Sequence, residues 1–375
     1  MNVPTVNPKQ QSNAVWRRFR RNAAAVAGLA FLAMALFVAL FAYLLAPDST
    51  PDANYQLPEL ALLPPGSHVP VLHVKGNNEK PFTCFFKKML FGAALPYKII
   101  PLAEANVFTD GDSLRFRRFG SNGWEKIAVH DLAFPVLQTP TSNLRTPNSN
   151  LQTFPLGTDR YGRCMLSRLL LGFRVSLGVG VLAVAVSLSL GLFLGLVSAY
   201  FGGRVDDLVM LLINTVWSIP TLLLVFAVVM ALGRGIGIIF LAVGLTMWVE
   251  VARVVRGQVM QLRSMPFIEA AQSMGLGSWR VVFRHILPNL LGPVLVLTAG
   301  NFATAILLES GLSYLGFGVQ PPAPSWGSLL NENYGYAVSG RPVLAIAPAL
   351  VIALSVLAFN LVGNGLRDAL DVKMK

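Results

Sequence analysis

Long apolar runs constrain this chain more than any other feature of its sequence. The first run covers residues 23–46 and contains no Asp, Glu, Lys or Arg. Because a helix rises about 1.5 Å per residue, about 20 apolar residues cross the roughly 30 Å hydrocarbon layer of a membrane. Only 13% of the residues are charged, whereas soluble domains carry roughly 25%. The chain is therefore predicted to be a membrane protein with several spans.

Basic residues indicate how the spans are oriented. Residues 1–22 are polar and basic and contain no acidic residue, which is typical of a cytoplasmic segment. The run at 23–46 is too long for the core of a signal peptide, so it is predicted to stay as a membrane anchor. The five further predicted spans are Phe173–Phe201, Leu208–Leu232, Ile236–Val255, Ile286–Leu308 and Val343–Val362. With six spans in all, both termini would be cytoplasmic.

Composition divides the chain into four parts. They are a cytoplasmic segment at 1–22, a first transmembrane helix at 23–46, an extracytoplasmic insert at 47–165 and a core with five spans at 166–375. Turn-forming residues are frequent in the insert, and the alternation at Ser113–Phe119 is typical of a strand. We therefore expect mixed or β-rich structure there. Its apolar stretch Cys84–Leu102 is interrupted by Lys and Pro, which favours a packed or interfacial segment over a span.

Several kinds of chemistry are excluded or disfavoured. The net charge of +12 suits a membrane protein with basic cytoplasmic loops better than a nucleic-acid binder, because no recognition module accompanies it. No glycine is directly followed by a lysine, so the chain has no P-loop for ATP. We expect no catalytic, cofactor or metal site. Cys84 and Cys164 would both lie outside the cytoplasm, where a disulfide between them is one alternative.

The loop Arg263–Asn289 is too long and too patterned for a plain connection. It is predicted to form two short helices, with Glu269 near the positive end of the first. The adjacent Ala270 and Ala271 offer a small-residue face to a partner. The expected boundary residues are Pro266 at the start of the first helix, Gly275 and Gly277 at its end, Ser278 capping the second and Pro288 opening the next span.

The order of residues in this loop resembles the EAA loop of ABC importer permeases. In that family the loop forms a coupling helix, which docks on the ATP-hydrolysing subunit. His285 stands where the general pattern has an apolar residue, as in a variant seen in peptide and nickel importers. The resemblance implies that the coupling residues are Glu269, Ala270, Ala271, Gly275, Leu287 and Pro288.

Two other motifs narrow the resemblance. Leu156–Arg168 with the following Gly172–Leu177, and the loop Gly311–Gly327, are similar to segments of dipeptide and oligopeptide permeases. Together they resemble the C-type permease subunit of the dipeptide, oligopeptide and nickel family. The chain departs from that pattern at Cys164, where Asp is usual, and in the greater length of its first outer loop.

The resemblance implies an all-α polytopic membrane protein with the six-helix fold of a type I ABC importer, interrupted by the insert. Such a chain is a transport subunit of the bacterial inner membrane and not an enzyme. It would form half of a pathway for peptides with a B-type permease. Two ATPase subunits would hold ATP and Mg, and an extracytoplasmic solute-binding protein would deliver the cargo.

Two alternatives stay open from the residues. One is an importer for nickel or another small solute, and the other is a secondary transporter driven by an ion gradient. The second would use carboxylates in the membrane, for which Glu250 and Glu309 are the candidates. We expect Glu250 to pair with Arg253 or Arg256 instead, and Glu309 to lie near water. The polar residues Asn214, Ser218, Asn301 and Thr304 are expected to hydrogen-bond between helices, with the lining of a water-filled path as the alternative.

Overall fold

The computed structural model describes residues 8–76, 84–103, 106–110, 112–133, 144–145, 151–233 and 235–371. The chain divides into two compact units: the described parts of Met1–Leu36, Ser176–Gln320 and Leu350–Lys375, and those of Phe37–Val175 and Pro321–Ala349. Within the described ranges the α-helices are α1 (Pro8–Arg21), α2 (Ala23–Leu45), α3 (Phe85–Phe91), α4 (Met165–Phe201), α5 (Gly203–Trp217), α6 (Thr221–Leu232), α7 (Ile236–Arg263), α8 (Pro266–Ser273), α9 (Ser278–Val281), α10 (Leu287–Tyr314), α11 (Trp326–Asn333) and α12 (Val343–Leu370).

Five helical stretches of the described chain are long and apolar enough to span a membrane, namely α2, α4, α7, Ser278–Tyr314 and α12. Each corresponds to a predicted run, and all except α2 extend beyond it. α4 begins at Met165 rather than Phe173, and α7 ends at Arg263 rather than Val255. Helical hydrogen bonds continue past the apolar run, because polar flanks form them equally well. The limits of the apolar runs therefore do not coincide with the helix ends.

α2 is delimited by its flanking residues. The side-chain oxygen of Asn22 accepts a hydrogen bond from the N–H of Ala25 at 3.1 Å. This is the usual role of Asn as an N-cap. The helix stops at Leu45, two residues before Pro47, and Pro cannot continue a helix.

The predicted span Leu208–Leu232 is not one helix, so this prediction is wrong in detail. Its residues form most of α5 and all of α6, which meet at 93° across a short break. Pro220 has no N–H to donate to Val216, and its ring disfavours helical backbone at Ile219. The N–H of Ile219 donates to the Val216 carbonyl instead, at 3.3 Å. The pair is a broken span or a re-entrant loop.

Glycines allow α4 and α7 to pack closely, as their small-xxx-small spacing predicts. A Cβ atom at Gly191 would lie 2.8 Å from the carbonyl oxygen of Trp248, and one at Gly195 would lie 2.7 Å from that of Ala252. A side chain at either position would collide with backbone of the neighbouring helix. These two glycines therefore set the separation of α4 and α7.

Two antiparallel sheets lie in the second unit, in the segment predicted to be the insert. The strands in the described residues are β1 (Ser67–Lys75), β2 (Tyr97–Pro101), β3 (Asn106–Asp110), β4 (Ser113–Arg117), β5 (Trp124–Ala128), β6 (Leu144–Arg145) and β7 (Leu151–Phe154). The strand orders of the two sheets are β2-β1-β7 and β5-β4-β3-β6. Strand β4 lies within the alternating stretch of the sequence, and its Leu114 pairs with Ile127 of β5.

The sheets are held by small apolar clusters. One contains Leu72, Leu102, Leu114, Phe116 and Leu132, all buried.

The segment Cys84–Leu102 forms α3 and β2, and both elements are too short to span a membrane.

Four charged side chains form an ion-pair network in the second unit, three of them buried and one, Glu332, partly buried. The fully buried Arg168 places a guanidinium nitrogen 2.7 Å from Glu332 and 3.1 Å from Asp159. Arg163 approaches the same two carboxylates, each to 2.7 Å. Because buried charges are unfavourable unless they are paired and hydrogen-bonded, this network ties α11 to the start of α4.

Candidate functional site

A tight turn after α7 positions α8. The N–H of Met265 donates to the carbonyl of Leu262 at 3.0 Å. Met265 is extended, and Pro266 follows as the first helical residue. Proline is favoured there because the first N–H of a helix has no partner within the helix. Glu269 lies in the first turn, where the helix dipole favours a carboxylate.

α8 ends in a Schellman motif. Gly275 adopts φ +75, a left-handed conformation that L side chains rarely adopt. Its N–H donates to the carbonyl of Gln272 at 2.9 Å, and the N–H of Leu276 donates to that of Ala271 at 3.3 Å. These are the two bonds that define the motif. The prediction that glycine ends this helix is confirmed, and Gly275 is required by its backbone conformation.

One face of α8 is fixed to the membrane helices. Ile268 and Ala271 are buried, at 0% and 2% exposure. They belong to one apolar cluster with Tyr200 of α4, Val255 of α7 and Leu290 of α10. Interiors packed in this way move as a body rather than deform. A displacement of α8 is therefore passed to three long helices.

The opposite face of α8 is open. Glu269 and Ala270 are exposed, and so is Gly275 at the end of the helix. The expectation that Ala270 and Ala271 share one outward face is wrong. Adjacent residues on an α-helix are about 100° apart, so Ala271 faces the cluster while Ala270 faces outward.

The second part of the segment is a distorted start of the long helix Ser278–Tyr314. Gly277 is the N-cap, and it has no side chain to cap with, so the expected cap by Ser278 is wrong. A π-helical turn covers Val282–Ile286, and the N–H of Leu287 donates to Val282. This wider turn leaves room for Pro288, which has no N–H and whose ring would collide with a carbonyl in a regular turn.

The structure separates the last two predicted residues. Leu287 is half-buried and packs against the apolar cluster, whereas Pro288 is exposed. Of the six predicted residues, four are therefore available to a partner, namely Glu269, Ala270, Gly275 and Pro288. Ala271 and Leu287 instead hold the segment in place.

Four large apolar side chains of the segment were not predicted to be part of the site. Phe267, Met274, Trp279 and Phe283 are exposed by 45%, 73%, 55% and 59%. The rings of Trp279 and Phe283 stack at 5.9 Å. Exposed apolar groups concentrated in one place indicate an interaction surface. Their signal in the sequence is that Phe267 directly precedes the inward-facing Ile268, so the two side chains lie about 100° apart on the helix.

The ion pair beside this region differs from the one expected. Arg256 bonds Asp206 of α5 through two nitrogens, each at 2.6 Å. Arg253 lies over the ring of Trp217, 3.2 Å from its centroid, and donates to Asn214 at 3.3 Å. Glu250, which is exposed, therefore does not take either arginine. Arg256 therefore pairs with Asp206 of another helix and not with Glu250 of its own helix.

Glu309 is fully buried, which corrects the expectation that it lies near water. It accepts hydrogen bonds from the hydroxyls of Ser176 at 3.0 Å and Ser313 at 2.8 Å. Since Ser176 is on α4 and Glu309 is on α10, this carboxylate joins two long helices. Three serine hydroxyls surround it, because Ser310 also donates, at 3.5 Å.

The other polar residues of the spans differ among themselves. Asn214 bonds a residue of another helix, as expected. Ser218 and Thr304 instead donate to carbonyls three and four residues earlier in their own helices, and Asn301 is buried at 1% exposure. The expectation of bonding between helices therefore holds for Asn214 and not for Ser218 or Thr304.

The cysteines are not bonded to each other. Both thiols are free, with Cys84 exposed and Cys164 buried. Burial raises the pKa of the Cys164 thiol. In the described part of the chain, no three His, Cys, Asp or Glu side chains are grouped so that they could hold a metal ion.

Known families match both ends of the chain. The family described as the binding-protein-dependent transport system inner membrane component matches residues 190–375. A second family, described as the N-terminal TM domain of oligopeptide transport permease C, matches residues 11–65. Most of the two β-sheets lies between these matches.

Curated relatives are similar over more than half of the chain. The glutathione transport system permease protein GsiD of Pectobacterium atrosepticum is 42% identical over 220 residues, which are 59% of this chain and 73% of the relative. Two Bacillus subtilis proteins match 58% of this chain: the oligopeptide permease OppC, 39% identical over 72% of its length, and the dipeptide permease DppC, 38% identical over 68%. Among solved structures, a chain of the inward-facing MetNI methionine ABC transporter matches 55% of this chain and 98% of its own, with 17% identity and a TM-score of 0.46.

Proposed function

The chain belongs to the family of binding-protein-dependent transport system inner membrane components, and we propose that it is the peptide-carrying permease subunit of an ATP-driven importer. Peptide cargo is supported by the names of its relatives, which transport glutathione, oligopeptides and dipeptides. In this role the chain forms half of the translocation pathway. A B-type permease forms the other half, and an extracytoplasmic solute-binding protein delivers the peptide.

The coupling surface is the open face of the segment Arg263–Asn289. It comprises Glu269, Ala270, Gly275 and Pro288, together with the exposed side chains of Phe267, Met274, Trp279 and Phe283. An ATPase subunit docks on this surface, and two such subunits bind the ATP and Mg. This chain binds neither.

One observation carries the proposal: α8 is exposed on one face and packed against α4, α7 and α10 on the other. A short helix that faced solvent on all sides would rotate freely when pushed. Ile268 and Ala271 prevent this, because their burial makes α8 part of the helix bundle. Closure of the ATPase dimer would therefore displace the long helices with α8 and open the pathway on the other side of the membrane.

The proposed topology follows from the basic residues. The segment 252–285 carries five arginines and one carboxylate, which favours the cytoplasm. We assign residues 1–22 to the cytoplasm, 23–46 to the first span, 47–165 to the extracytoplasmic insert and 166–375 to the permease core with five spans, counting α5 and α6 as one. Both termini are then cytoplasmic in the inner membrane of a bacterium.

The test is a charge reversal at Glu269 in the assembled transporter, reconstituted in liposomes with its receptor. Glu269→Arg places a cation against the positive end of α8 and changes the docking face. We expect assembly to be retained and the stimulation of ATP hydrolysis by receptor and peptide to be lost. Asp131→Arg changes the net charge equally at a carboxylate of the insert whose side chain is 51% exposed, and should leave stimulation intact.

Stimulated hydrolysis and peptide uptake at unchanged rates in Glu269→Arg would rule out this coupling surface. The rival ion-driven mechanism is tested on the unmodified transporter. Uptake should continue when the proton gradient is collapsed and ATP is kept constant. Loss of uptake under those conditions would favour a secondary transporter instead.

A further inference from the structure

Helix α3 exposes more apolar surface than its size can account for. Phe85, Phe86, Leu90 and Phe91 are exposed by 59%, 67%, 42% and 66%. These are four of its seven residues, and no residue of the helix is buried. Single exposed apolar residues are ordinary, but a contiguous group indicates contact with a protein or a membrane.

The C-terminal end of α3 is fixed to the segment that follows α2 and lies against Tyr43 of its last turn. The N–H of Ala93 donates to the carbonyl of Ser49 at 2.9 Å. A Cβ at Gly92 would lie 2.7 Å from that same oxygen and 2.8 Å from the ring of Tyr43. The helix is therefore held against the last turn of α2, and its position follows that of the membrane anchor.

A second tie comes from α4. The guanidinium of Arg174 donates to the carbonyl of Met89 at 3.4 Å and lies 5.7 Å from the centroid of the Tyr43 ring. Arg174 is the last charged residue before the charge-free stretch 175–203, and α2 is charge-free up to its end. Both helices therefore reach the edge of their apolar stretches at this contact. Tyr and Arg are residues that prefer the boundary between lipid and water.

From this position we propose that α3 lies in the surface of the lipid bilayer and anchors the insert to it. The side chains of Phe85, Phe86, Leu90 and Phe91 enter the acyl region, and the ammonium of the exposed Lys87 reaches the phosphates. Phe and Leu side chains combined with lysines are typical of interfacial helices, whatever their length. Contact at the edge of two apolar spans favours lipid as the occupant over a soluble protein. This role is independent of the transported cargo.

The test measures collision rates of a nitroxide label with oxygen, which concentrates in lipid, and with a water-soluble nickel complex. The label is attached at Phe86→Cys in a Cys84→Ser background, in the complete transporter in lipid nanodiscs. Trp124→Cys is the matched control, because Trp124 is also aromatic and 57% exposed, but lies on β5. We expect an oxygen-to-nickel ratio about five-fold higher or more at position 86, because lipid excludes the nickel complex.

Equal ratios at both positions would place α3 in water and overturn the proposal. Low collision rates with both reagents at position 86 would show that a protein covers the helix, which also overturns it. The unmodified chain provides a check on the substitution, since native Cys84 is exposed directly before α3. A label on Cys84 should show a ratio between those at positions 86 and 124. These readouts involve neither ATP hydrolysis nor uptake, so they stand apart from the transport assays.

Discussion

Arg168 and Glu332 lie 164 residues apart in the sequence, and a guanidinium nitrogen of one is 2.7 Å from a carboxylate oxygen of the other. Arg168 is fully buried, and Asp159 and Arg163 complete the network. A buried network of this kind makes the loop before α4 and the helix α11 one structural unit. Its members contribute to stability in a way that single substitutions can reveal.

Replacing Arg168 should destabilise the protein more than replacing an exposed arginine nearby. Arg168→Met removes one cation and leaves the buried Asp159 and the partly buried Glu332 to share Arg163. We expect the free energy of unfolding to fall by up to about 3 kcal/mol. Denaturant titration of the purified chain in detergent measures this. Arg160→Met, at an exposed position, is the control, and equal effects of the two variants would contradict the prediction.

Acid should weaken this network through Glu332. Burial by itself would raise the pKa of Glu332, but the hydrogen bond and charge of Arg168, with the charges of Arg163 and Arg160, hold that pKa below its usual value of 4.5. A carboxylate with a lowered folded-state pKa stabilises the fold above its unfolded-state pKa, and this is lost as the pH falls through the folded-state value. The free energies of unfolding of the wild type and Glu332→Gln should therefore converge below about pH 4.5. A constant difference across the acid range would be inconsistent with this.

The close approach of α4 and α7 predicts opposite effects at two glycines of α4. A Cβ at Gly195 would meet the Ala252 carbonyl at 2.7 Å, whereas one at Gly178 would meet nothing within 4 Å. Gly195→Ala should lower the free energy of unfolding by about 1–3 kcal/mol. Gly178→Ala should be neutral or slightly stabilising, because alanine is the better helix former. Thermal unfolding in detergent distinguishes the two, and similar midpoints would show that the helices are not in backbone contact.

The two cysteines should differ sharply in reactivity. Cys164 is buried at 3% exposure, and burial raises the pKa of its thiol, so the reactive thiolate is disfavoured. Cys84 is exposed. A maleimide should therefore modify Cys84 in the native protein and both residues after denaturation. Mass spectrometry of the labelled peptides measures this, and no labelling at either position before reduction would indicate a disulfide.

The two alanines of α8 should respond differently to the same substitution. Ala271→Leu adds volume to a filled cluster and should lower the free energy of unfolding by about 1–3 kcal/mol. Ala270→Leu adds the same volume to an exposed position, so the fold should be retained while stimulated ATP hydrolysis falls. Measuring both quantities for both variants separates the inward face from the docking face. The same loss of stability in each variant would mean that α8 is buried on both sides.

The sequence predicts a helix well where an uninterrupted apolar run has clear end signals. The run at 23–46 and α2 agree to within one residue, because Asn22 and Pro47 delimit the helix locally. The same reasoning fails at Pro220, where composition gives one apolar run but the missing N–H produces a 93° bend. Apolar content measures length in lipid and carries no information about a local break.

The candidate site shows a similar division. The sequence predicts Gly275 as a helix end, because glycine readily adopts the left-handed backbone conformation found there. The sequence does not predict the orientation of Ala270 and Ala271, because that orientation depends on which face of α8 packs against the helix bundle. The partners of Arg256 and Arg168 could not be found from one sequence either, since Asp206 and Glu332 lie 50 and 164 residues away.

The break between α5 and α6 also bears on how the subunit survives before it is assembled. Each helix end leaves backbone groups that an intact helix would pair, and no side chain caps the start of α6. Hydrocarbon offers these groups no hydrogen bonds, and Trp217 beside the break is 64% exposed. If this segment is inserted at membrane depth, an unassembled subunit has unpaired backbone groups that only water or a neighbouring protein can hydrogen-bond. Unassembled copies would then be the preferred substrates of membrane quality-control proteases, so that synthesis of the partner would limit how much of this chain accumulates.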